Sequence, residues 1–495
     1  MINKRLPITF VIMIAAANLF AQHNGDSLSF QGYPAEFTMG VKALAMGGAY
    51  TANTGDLNSL FYNPAGLADV NELQLTIGMN SYQKLWRENQ TFRPNRLYWT
   101  MAFYLEGLYV PDPANNGVWD YEFARDSSFV VQDPQTGKDS YGEDAADWQK
   151  TRNNLGFNYA AAAFPFEVMN YKLVVSAAYQ RNDLYDYDRN DTYLSPHIGI
   201  DKYGILPRSA TDTLTFNWYR FERSRFGDMT TYTGALAMDV TEEIKLGVGL
   251  TIISGESDDQ QSLNRMGFFD IANNNRLRFT YDTLNTHISG KSEYMATKFN
   301  VGGIYKFERF SLGFNIFLPY TMERKWNYNI DMATADSSWR NNASGTDRFE
   351  IPATFSFGAT LSPIDQFTAA VDYQFTNFSQ GKIDLSTQNA KMNADWPNQQ
   401  ILCFGAEYRP YEFLSLLAGY REISAVFIPD GAAIKDRGPS AQNYSIGASV
   451  KLWQFGRIDM AYEYKQLKYY DSYFSNTNYV YEGFNNFSLA YTYTF

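Results

Sequence analysis

The sequence predicts an all-β protein, a transmembrane antiparallel β-barrel of 14 strands. Three observations lead to this fold class. Aromatic residues make up 17% of the 495 residues, although the mean hydropathy of −0.37 is slightly polar. Polar and apolar residues alternate along much of the chain, and short connections alternate with long ones. These features are typical of a barrel with a lipid-facing outside and a polar inside.

The N-terminus has the pattern of an export signal. Lys4 and Arg5 form a basic start, residues 6–20 are apolar, and the small Ala21 precedes an expected cleavage point at Gln22. No later segment has the roughly 20 uninterrupted apolar residues of a membrane helix, so this chain can span a membrane only as a closed barrel. The expected domains are a signal peptide at 1–21, a separate N-terminal segment at 22–70 and a barrel with long extracellular loops at 71–495.

The C-terminal residues show the alternation most clearly. Phe487, Leu489 and Tyr491 are separated by Ser488 and Ala490. In a strand such neighbours point to opposite faces. The alternating runs reach about nine to eleven residues, the length that a tilted strand needs to cross a bilayer, whereas strands of soluble proteins usually have about five or six. We therefore expect the aromatic face to contact lipid.

Short turns and long polar connections follow one another after residue 70, as in barrels with short periplasmic turns and long outer loops. The expected strands begin near residues 72, 154, 171, 229, 243, 294, 310, 350, 366, 398, 413, 440, 456 and 484. The predicted long loops are 83–153, 186–228, 257–293, 327–349, 381–397, 425–439 and 471–483. As an alternative, an apolar run at 97–110 could pair with 118–131 and give 16 strands.

Residues 22–70 do not alternate and are rich in Gly and Pro, which predicts a compact irregular segment. They contain a run of small residues at 43–49, then Asp56, then Phe-Tyr-Asn-Pro-Ala-Gly-Leu at 61–67. Over residues 39–68 this pattern resembles the N-terminal signature of the FadL-type long-chain fatty acid transporters, a family that includes relatives for aromatic hydrocarbons.

The resemblance implies that residues 22–70 form a hatch that plugs the lumen, with Asn63, Pro64, Ala65 and Gly66 against a kinked wall strand. It also implies passive uptake of hydrophobic small molecules, such as long-chain fatty acids, by loop capture, lumenal binding and lateral release. Asn63 can donate and accept hydrogen bonds, and Pro64 restricts the backbone. Taken alone, the Asn-Pro pair favours a simple turn before the first strand, whereas the longer match favours the hatch.

Apolar residues inside two predicted loops are candidates for ligand capture, because exposed apolar surface often marks a binding site. These candidates are Leu97, Trp99, Met101, Phe103, Tyr104, Leu105, Met266, Phe268 and Phe269. The alternative is that they only pack the loops over the barrel mouth. Lumenal cations such as Arg421 and Arg457 could meet a carboxylate, but a polar lumen carries such charges anyway.

Little in the sequence supports catalysis. The histidines His23, His197 and His287 have no metal-ligand spacing with one another or with the single cysteine, Cys403. His287 with Ser289 is the only local pair that resembles part of a hydrolytic site, and it lacks a third group. We predict no enzymatic activity, no cofactor and no metal. The net charge of −12 disfavours nucleic acid as a partner.

The chain ends in Phe495, which matches the signal that the barrel-assembly machinery recognises in many outer-membrane proteins. We expect a monomer in the outer membrane of a Gram-negative bacterium, with the lipid bilayer, that machinery and a hydrophobic ligand as partners. The alternative is a barrel scaffold or shuttle of a surface protein-secretion system. Uptake predicts an apolar lumenal pocket beside the plug and a gap in the adjacent wall, whereas a scaffold predicts a broad apolar face on the loops and no enclosed pocket.

Overall fold

The computed structural model is an antiparallel sheet that closes on itself. It describes residues 40–92, 137–169, 171–197, 213–272, 276–387, 389, 391–394, 396–429, 436–452, 455–473 and 476–495. The strands are β1 (Gln74–Phe92), β2 (Trp148–Val168), β3 (Tyr171–His197), β4 (Thr213–Asp239), β5 (Ile244–Ala272), β6 (Arg276–Thr280), β7 (Leu284–Lys306), β8 (Phe310–Phe317), β9 (Tyr320–Ala333), β10 (Ser338–Ile351), β11 (Thr354–Ile364), β12 (Phe367–Thr376), β13 (Lys382–Asp384), β14 (Met392–Asn393), β15 (Gln399–Tyr411), β16 (Leu414–Ser424), β17 (Ser440–Lys451), β18 (Arg457–Tyr473) and β19 (Asn476–Thr494). In the described part of the chain, no helix is long and apolar enough to cross a membrane.

Fourteen strands form the wall, which confirms the predicted fold class. β1 pairs with β2 and with β19, so the ladder is closed. β8 and β9 are two parts of one wall strand, β10 and β11 are two parts of the next, and β6, β13 and β14 are short additions outside the count. The alternative of 16 strands is wrong, because β1 pairs directly with β2 over residues 74–88 and leaves no place for two more. The hairpin suggested for 97–131 itself lies outside the described residues.

The two faces of the wall differ as the alternation predicts. In β1, the side chain of Ile77 is 55% exposed and that of the neighbouring Thr76 is 7% exposed. In β19, Phe487 and Tyr491 are exposed, whereas Ser488 is buried. Apolar side chains cover the outside of the wall and polar ones face the lumen. This arrangement is stable where the outside contacts hydrocarbon.

Several segments predicted as loops are paired strands. The β3–β4 ladder continues up to the pair His197↔Thr215, well beyond the length that a bilayer requires. The predicted loops that are mostly strand instead are 186–228, 257–293, 327–349 and 471–483. Backbone pairing above the membrane needs no apolar face, so these polar residues extend the barrel as hairpins. The loss of apolar alternation therefore does not indicate a loop here.

Two prolines interrupt neighbouring wall strands at the same height. Pro319 lies in the gap between β8 and β9, and Pro352 lies in the gap between β10 and β11. Proline has no backbone N–H to donate to a ladder. Below the first gap the inward-facing residues have odd numbers, as at Asn315, and above it they have even numbers, as at Met322. The gaps separate the lower parts of these two wall strands, β8 and β11, which contact the plug, from their upper parts, β9 and β10.

Residues 40–70, the described part of the predicted plug, lie inside the barrel; the predicted signal peptide and residues 22–39 lie outside the described residues. Their helices are α1 (Val41–Ala45), α2 (Ser59–Tyr62) and a 3₁₀ helix (Pro64–Asp69). Most of their side chains are buried, and the apolar ones join a cluster with Leu417 and Ile423 of β16. At Gly419 an added Cβ would overlap the plug backbone, so only glycine lets the plug approach β16 this closely.

Ion pairs attach the end of the plug to the wall. A carboxylate oxygen of Asp69 lies 2.5 Å from Nζ of Lys245 on β5, and the other lies 2.5 Å from Nζ of Lys306 on β7. Lys172 of β3 also donates to the Ala68 carbonyl at 2.7 Å. Burial alone would raise the pKa of Asp69, but the hydrogen bonds from the two lysines outweigh it and lower that pKa to about 2.

We predict that this attachment weakens in acid. An unfolded Asp has a pKa of about 3.9, so the lower pKa of Asp69 stabilises the docked plug above about pH 4, and this stabilisation is lost as the pH falls toward 2. The ion conductance of the protein in a planar bilayer, which reports plug displacement, should rise over that interval. In Asp69→Asn the conductance should be raised at pH 7 already and should depend less on pH.

The matched control is Asp365→Asn. Asp365 is exposed at a short turn and lies 3.8 Å from Arg309, so it makes an ion pair that does not involve the plug. Its loss should leave the conductance unchanged. A pH profile of Asp69→Asn that coincides with that of the wild type would contradict the assigned role of Asp69.

Candidate functional site

Asn63 lies at the centre of the contact between plug and wall. Its side chain is fully buried, and its Nδ2 donates to the Thr51 carbonyl at 2.7 Å and to the Gly303 and Phe314 carbonyls at 3.2 Å each. Its Oδ1 accepts from the Ala65 amide at 3.1 Å, so it also caps the 3₁₀ helix. One amide thus forms a local turn and connects the plug to β7 and β8.

The wall supplies further anchors that the sequence analysis missed. Asp372 of β12 is buried, and its carboxylate accepts hydrogen bonds from the Tyr50 amide at 2.8 Å and the Thr51 amide at 2.7 Å. At Gly302 of β7, an added Cβ would overlap the side chain of Asn63. The available signal for Asp372 was a lone carboxylate among the uncharged inward residues of β12.

The wall is not paired continuously between β2 and β3. Their ladder ends at the pair Tyr159↔Gln180, although β2 extends to Trp148 and β3 extends to His197. Beyond this pair each strand remains bonded to its other neighbour, β1 or β4. A bulge at Asn158 of β2 coincides with the end of the ladder, and a bulge bends its strand.

Beyond the end of this ladder, β3 passes on the lumenal side of β2. Tyr185 and Tyr187 belong to the face of β3 that carries the lipid-exposed Val175 lower down, yet both are buried. The ring of Tyr185 lies 4.8 Å from that of Trp86, and the ring of Tyr187 lies 5.3 Å from that of Trp148. Because these tryptophans belong to the inward faces of β1 and β2, the outer face of β3 packs against them.

An ion pair joins β2 to β3 where they are not paired. Nε of Arg152 lies 2.9 Å from Oδ2 of Asp183, and Nη2 lies 3.2 Å from Oδ1, so the contact is bidentate. The hydroxyl of Tyr82 on β1 also donates to Asp183. The guanidinium lies over the rings of Tyr185 at 4.7 Å and Phe226 at 5.2 Å. We call this contact the Arg152–Asp183 bridge.

Between the end of the ladder and the Arg152–Asp183 bridge lie residues 153–158 of β2 and only 181–182 of β3. β2 therefore bows away from β3, and we call the space between these two segments the wall opening. Gly156 is at its edge, and a Cβ added there would meet no atom within 4 Å.

A pocket of about 530 Å³ extends from the lumen to the wall opening. The apolar residues on its lumenal side are Leu184, Ile423, Val426, Phe427, Ala441 and Leu467. Its other end includes Leu155 and Phe157, which are 71% and 43% exposed on the outer surface of the wall. The pocket thus connects the interior of the barrel with its lipid-facing side. Ile423 and Phe427 also belong to the apolar cluster formed with the plug, which places the pocket beside the plug.

Charged groups around the pocket are matched. The ion pairs are Arg152 with Asp183, Arg421 with Glu463 at 2.8 Å, and Arg181 with Asp228 at 2.8 Å. Two more cations, Lys84 and Lys465, interact with Glu482, and Lys84 also interacts with Asp186. The lining contains five cations and four carboxylates, and the partner of Arg181, Asp228, which lies outside the lining, supplies the fifth carboxylate.

Among the predicted capture residues, Met266 is the one whose side chain is described, and it does not line this pocket. Six of the candidates lie outside the described part of the chain: Leu97, Trp99, Met101, Phe103, Tyr104 and Leu105. Met266, Phe268 and Phe269 were expected in a loop, and this is wrong, because β5 continues through them as it pairs with β4. Val426 and Phe427, in the predicted loop 425–439, enter the pocket and were missed. Their signal was an apolar run within that loop.

The candidate hydrolytic pair lies in β7 rather than at a loop edge. His287 is exposed on this strand. Its described hydrogen-bond partner is the hydroxyl of Ser262 on β5, 3.1 Å from Nδ1, and not the predicted Ser289. Across the described ranges, no group of three side chains is arranged to bind a metal ion.

Several solved structures have a similar fold. A Pseudomonas aeruginosa FadL homologue matches with a TM-score of 0.57 and 14% identity, over 92% of this chain and 98% of that one. The P. putida toluene transporter TodX matches with a TM-score of 0.57 and 10% identity, over 92% and 98%. The monoaromatic hydrocarbon channel CymD matches with a TM-score of 0.51 and 12% identity, over 92% and 97%. No curated protein sequence matches this chain significantly.

The sequence also matches a family model, described as outer membrane protein transport protein (OMPP1/FadL/TodX), over residues 224–492. This match covers more than half of the chain and confirms the resemblance seen at residues 39–68. Members of this family are transport channels of the outer membrane and not enzymes. The chain belongs to the OMPP1/FadL/TodX family of outer-membrane transport proteins.

Proposed function

We propose that this protein takes up uncharged hydrophobic small molecules passively and releases them sideways, through the wall opening, into the outer membrane. The observation that carries the proposal is the lining of the pocket, which includes both the lumenal Phe427 and the lipid-exposed Leu155. A ligand enters from the outer mouth, binds in the pocket and reaches the bilayer without crossing the plug.

Burial of hydrocarbon supplies the free energy of binding. Transfer of one methylene from water to an apolar site is worth about 0.8 kcal/mol. The interior of the bilayer is a similar environment, so a ligand that leaves through the wall opening keeps most of this free energy. Uptake then follows the concentration gradient and needs neither a nucleotide nor an ion gradient.

The matched charges of the pocket favour an uncharged ligand over a carboxylate. An anionic head group would have to compete with Glu463 for Arg421, or with Asp183 for Arg152. Either exchange would leave a displaced carboxylate without its cation in a partly desolvated site, which is costly. A neutral ligand uses the apolar side of the pocket and leaves these ion pairs intact.

The uptake hypothesis predicts an apolar lumenal pocket beside the plug and a gap in the adjacent wall. The pocket at the wall opening therefore supports uptake over the alternative of a secretion scaffold.

We predict that Gly156→Trp blocks release. The position faces open space, so the side chain can fill the wall opening without displacing the backbone. Uptake of a radiolabelled apolar probe by cells that carry the variant should fall about tenfold, which corresponds to about 1.4 kcal/mol of added barrier.

Gly234→Trp is the matched control for this variant. Gly234 lies on the lipid-facing side of β4, where the wall is fully paired and a Cβ would meet only the Ser176 carbonyl at 3.9 Å. Its uptake should equal that of the wild type. Normal uptake by Gly156→Trp, at equal amounts of folded protein, would rule out this exit.

We predict that Asn63→Ala loosens the plug. The change removes the hydrogen bonds that Nδ2 donates to three carbonyls, and a buried carbonyl left without a donor costs about 1–3 kcal/mol. Ion conductance in a planar bilayer should rise, because the displaced plug no longer fills the lumen. Asn341→Ala is the control, since Asn341 is exposed on β10. A conductance of Asn63→Ala equal to that of Asn341→Ala would contradict the assigned role of Asn63.

We predict that the purified protein binds a long-chain alcohol more tightly than the carboxylate of equal length. The hydrocarbon burial is the same for both, but only the carboxylate must disturb the Arg421–Glu463 or Arg152–Asp183 pair. Displacement of a fluorescent apolar probe at pH 8 measures both affinities. Equal or tighter binding of the carboxylate would show that the ligand is an acid.

A further inference from the structure

We propose that the Arg152–Asp183 bridge sets the size limit of the wall opening and thereby selects ligands by cross-section. This inference rests on the proposed function for its consequence in uptake, but its geometry can be tested separately. It assigns a specificity-determining role to two residues that are not part of the plug motif.

The first reason is the position of the bridge. Below the wall opening, the pair Tyr159↔Gln180 is held by the backbone ladder, which side-chain changes do not remove. At this lower limit the ring of Phe157 on β2 also stacks on the ring of Tyr179 on β3, with 5.8 Å between centroids, and the bridge is the next described contact between the two strands above it. Six residues of β2 and two of β3 lie between the end of the ladder and the bridge, so the backbone does not fix the distance between the two strands there. That distance depends on whether the bridge is formed.

The second reason is how well the bridge is supported. The Arg152 and Asp183 side chains are 28% and 13% exposed, so the pair is shielded from water and salt on most sides. Tyr82 donates to Asp183 from β1, and the guanidinium of Arg152 lies over two rings from β3 and β4. Bidentate geometry also fixes the angle between the two side chains, which a lysine would not do.

The third reason is the nature of the contacts above the bridge. Lys150 lies 4.9 Å from the Tyr187 ring, and Trp148 packs against the same ring. These contacts between side chains are less directional than a bidentate ion pair. Without the bridge, the wall opening would extend upward to them, and β2 could bow further from β3.

The test compares Arg152→Met and Asp183→Asn with the wild type. Cells that carry each variant are given uncharged aromatic probes of two, four and five fused rings. We expect uptake of the largest probe, relative to the smallest, to rise about tenfold in both variants, the scale on which a pocket discriminates by size. The double variant Arg152→Asp with Asp183→Arg should restore the ratio, because it re-forms the ion pair with its charges exchanged.

Arg223→Met is the matched control. Arg223 of β4 pairs with Asp188 on β3 at 3.2 Å, between two strands that are joined by their backbone ladder, and it does not line the pocket. The size ratio of this variant should remain that of the wild type. An equal rise in Arg223→Met, or a charge exchange that fails to restore the ratio, would overturn the proposal.

A second measurement does not depend on uptake. In a Cys403→Ala background, Gly156→Cys places a thiol at the edge of the wall opening. Its labelling by a bulky maleimide should accelerate about tenfold when Arg152→Met is added, while labelling by a small maleimide should change little. If the wild type takes up no probe, the proposed function is wrong. The labelling rate of Gly156→Cys still tests whether the bridge limits the size of the wall opening. Unchanged labelling of folded protein by the bulky reagent would overturn it.

Discussion

The structure depends on the requirement that every backbone N–H and C=O facing hydrocarbon has a partner. Closure of β1 on β19 meets this requirement for the edges of the sheet. Once the backbone is satisfied, the side chains are free to differ between the two faces. Aromatic rows cover the outside, and the inside carries the polar and small residues that hold the plug, such as Asp372 and Gly302.

The break between β2 and β3 is compatible with this requirement because its edges face a cavity. Here β3 lies on the lumenal side of β2, and Asn154 of β2 and Asn182 of β3 both line the pocket. Unpaired backbone at membrane depth is tolerated where it borders a water-containing cavity in the protein. The mixed lining follows from this: polar groups solvate the open strand edges when the pocket is empty, and the apolar side around Phe427 retains hydrocarbon when it is occupied.

Sequence patterns predicted the wall well and the site poorly, for physical reasons. Two-residue alternation is a property of each strand by itself, so 14 strands could be located one at a time. The wall opening is instead an unmade contact between β2 and β3, and each of these strands keeps a normal partner on its other side. No local pattern records a missing ladder. Likewise, the capture residues were sought where the sequence looked like loop, but Met266 lies in a paired hairpin and Phe427 inside the pocket.

The plug and the wall opening meet at one pair of rings. Phe61 of α2 packs edge-on against Tyr159 with 5.8 Å between ring centroids, and Tyr159 is the last residue of β2 that pairs with β3. Asn63 follows only two residues later and is bonded to β7 and β8. Asn63 is the C-cap of α2, and its backbone amide donates to the Ser59 carbonyl at 2.9 Å, which connects it to the helix that carries Phe61. A rearrangement of the plug at Asn63 would therefore also change the packing beneath the wall opening.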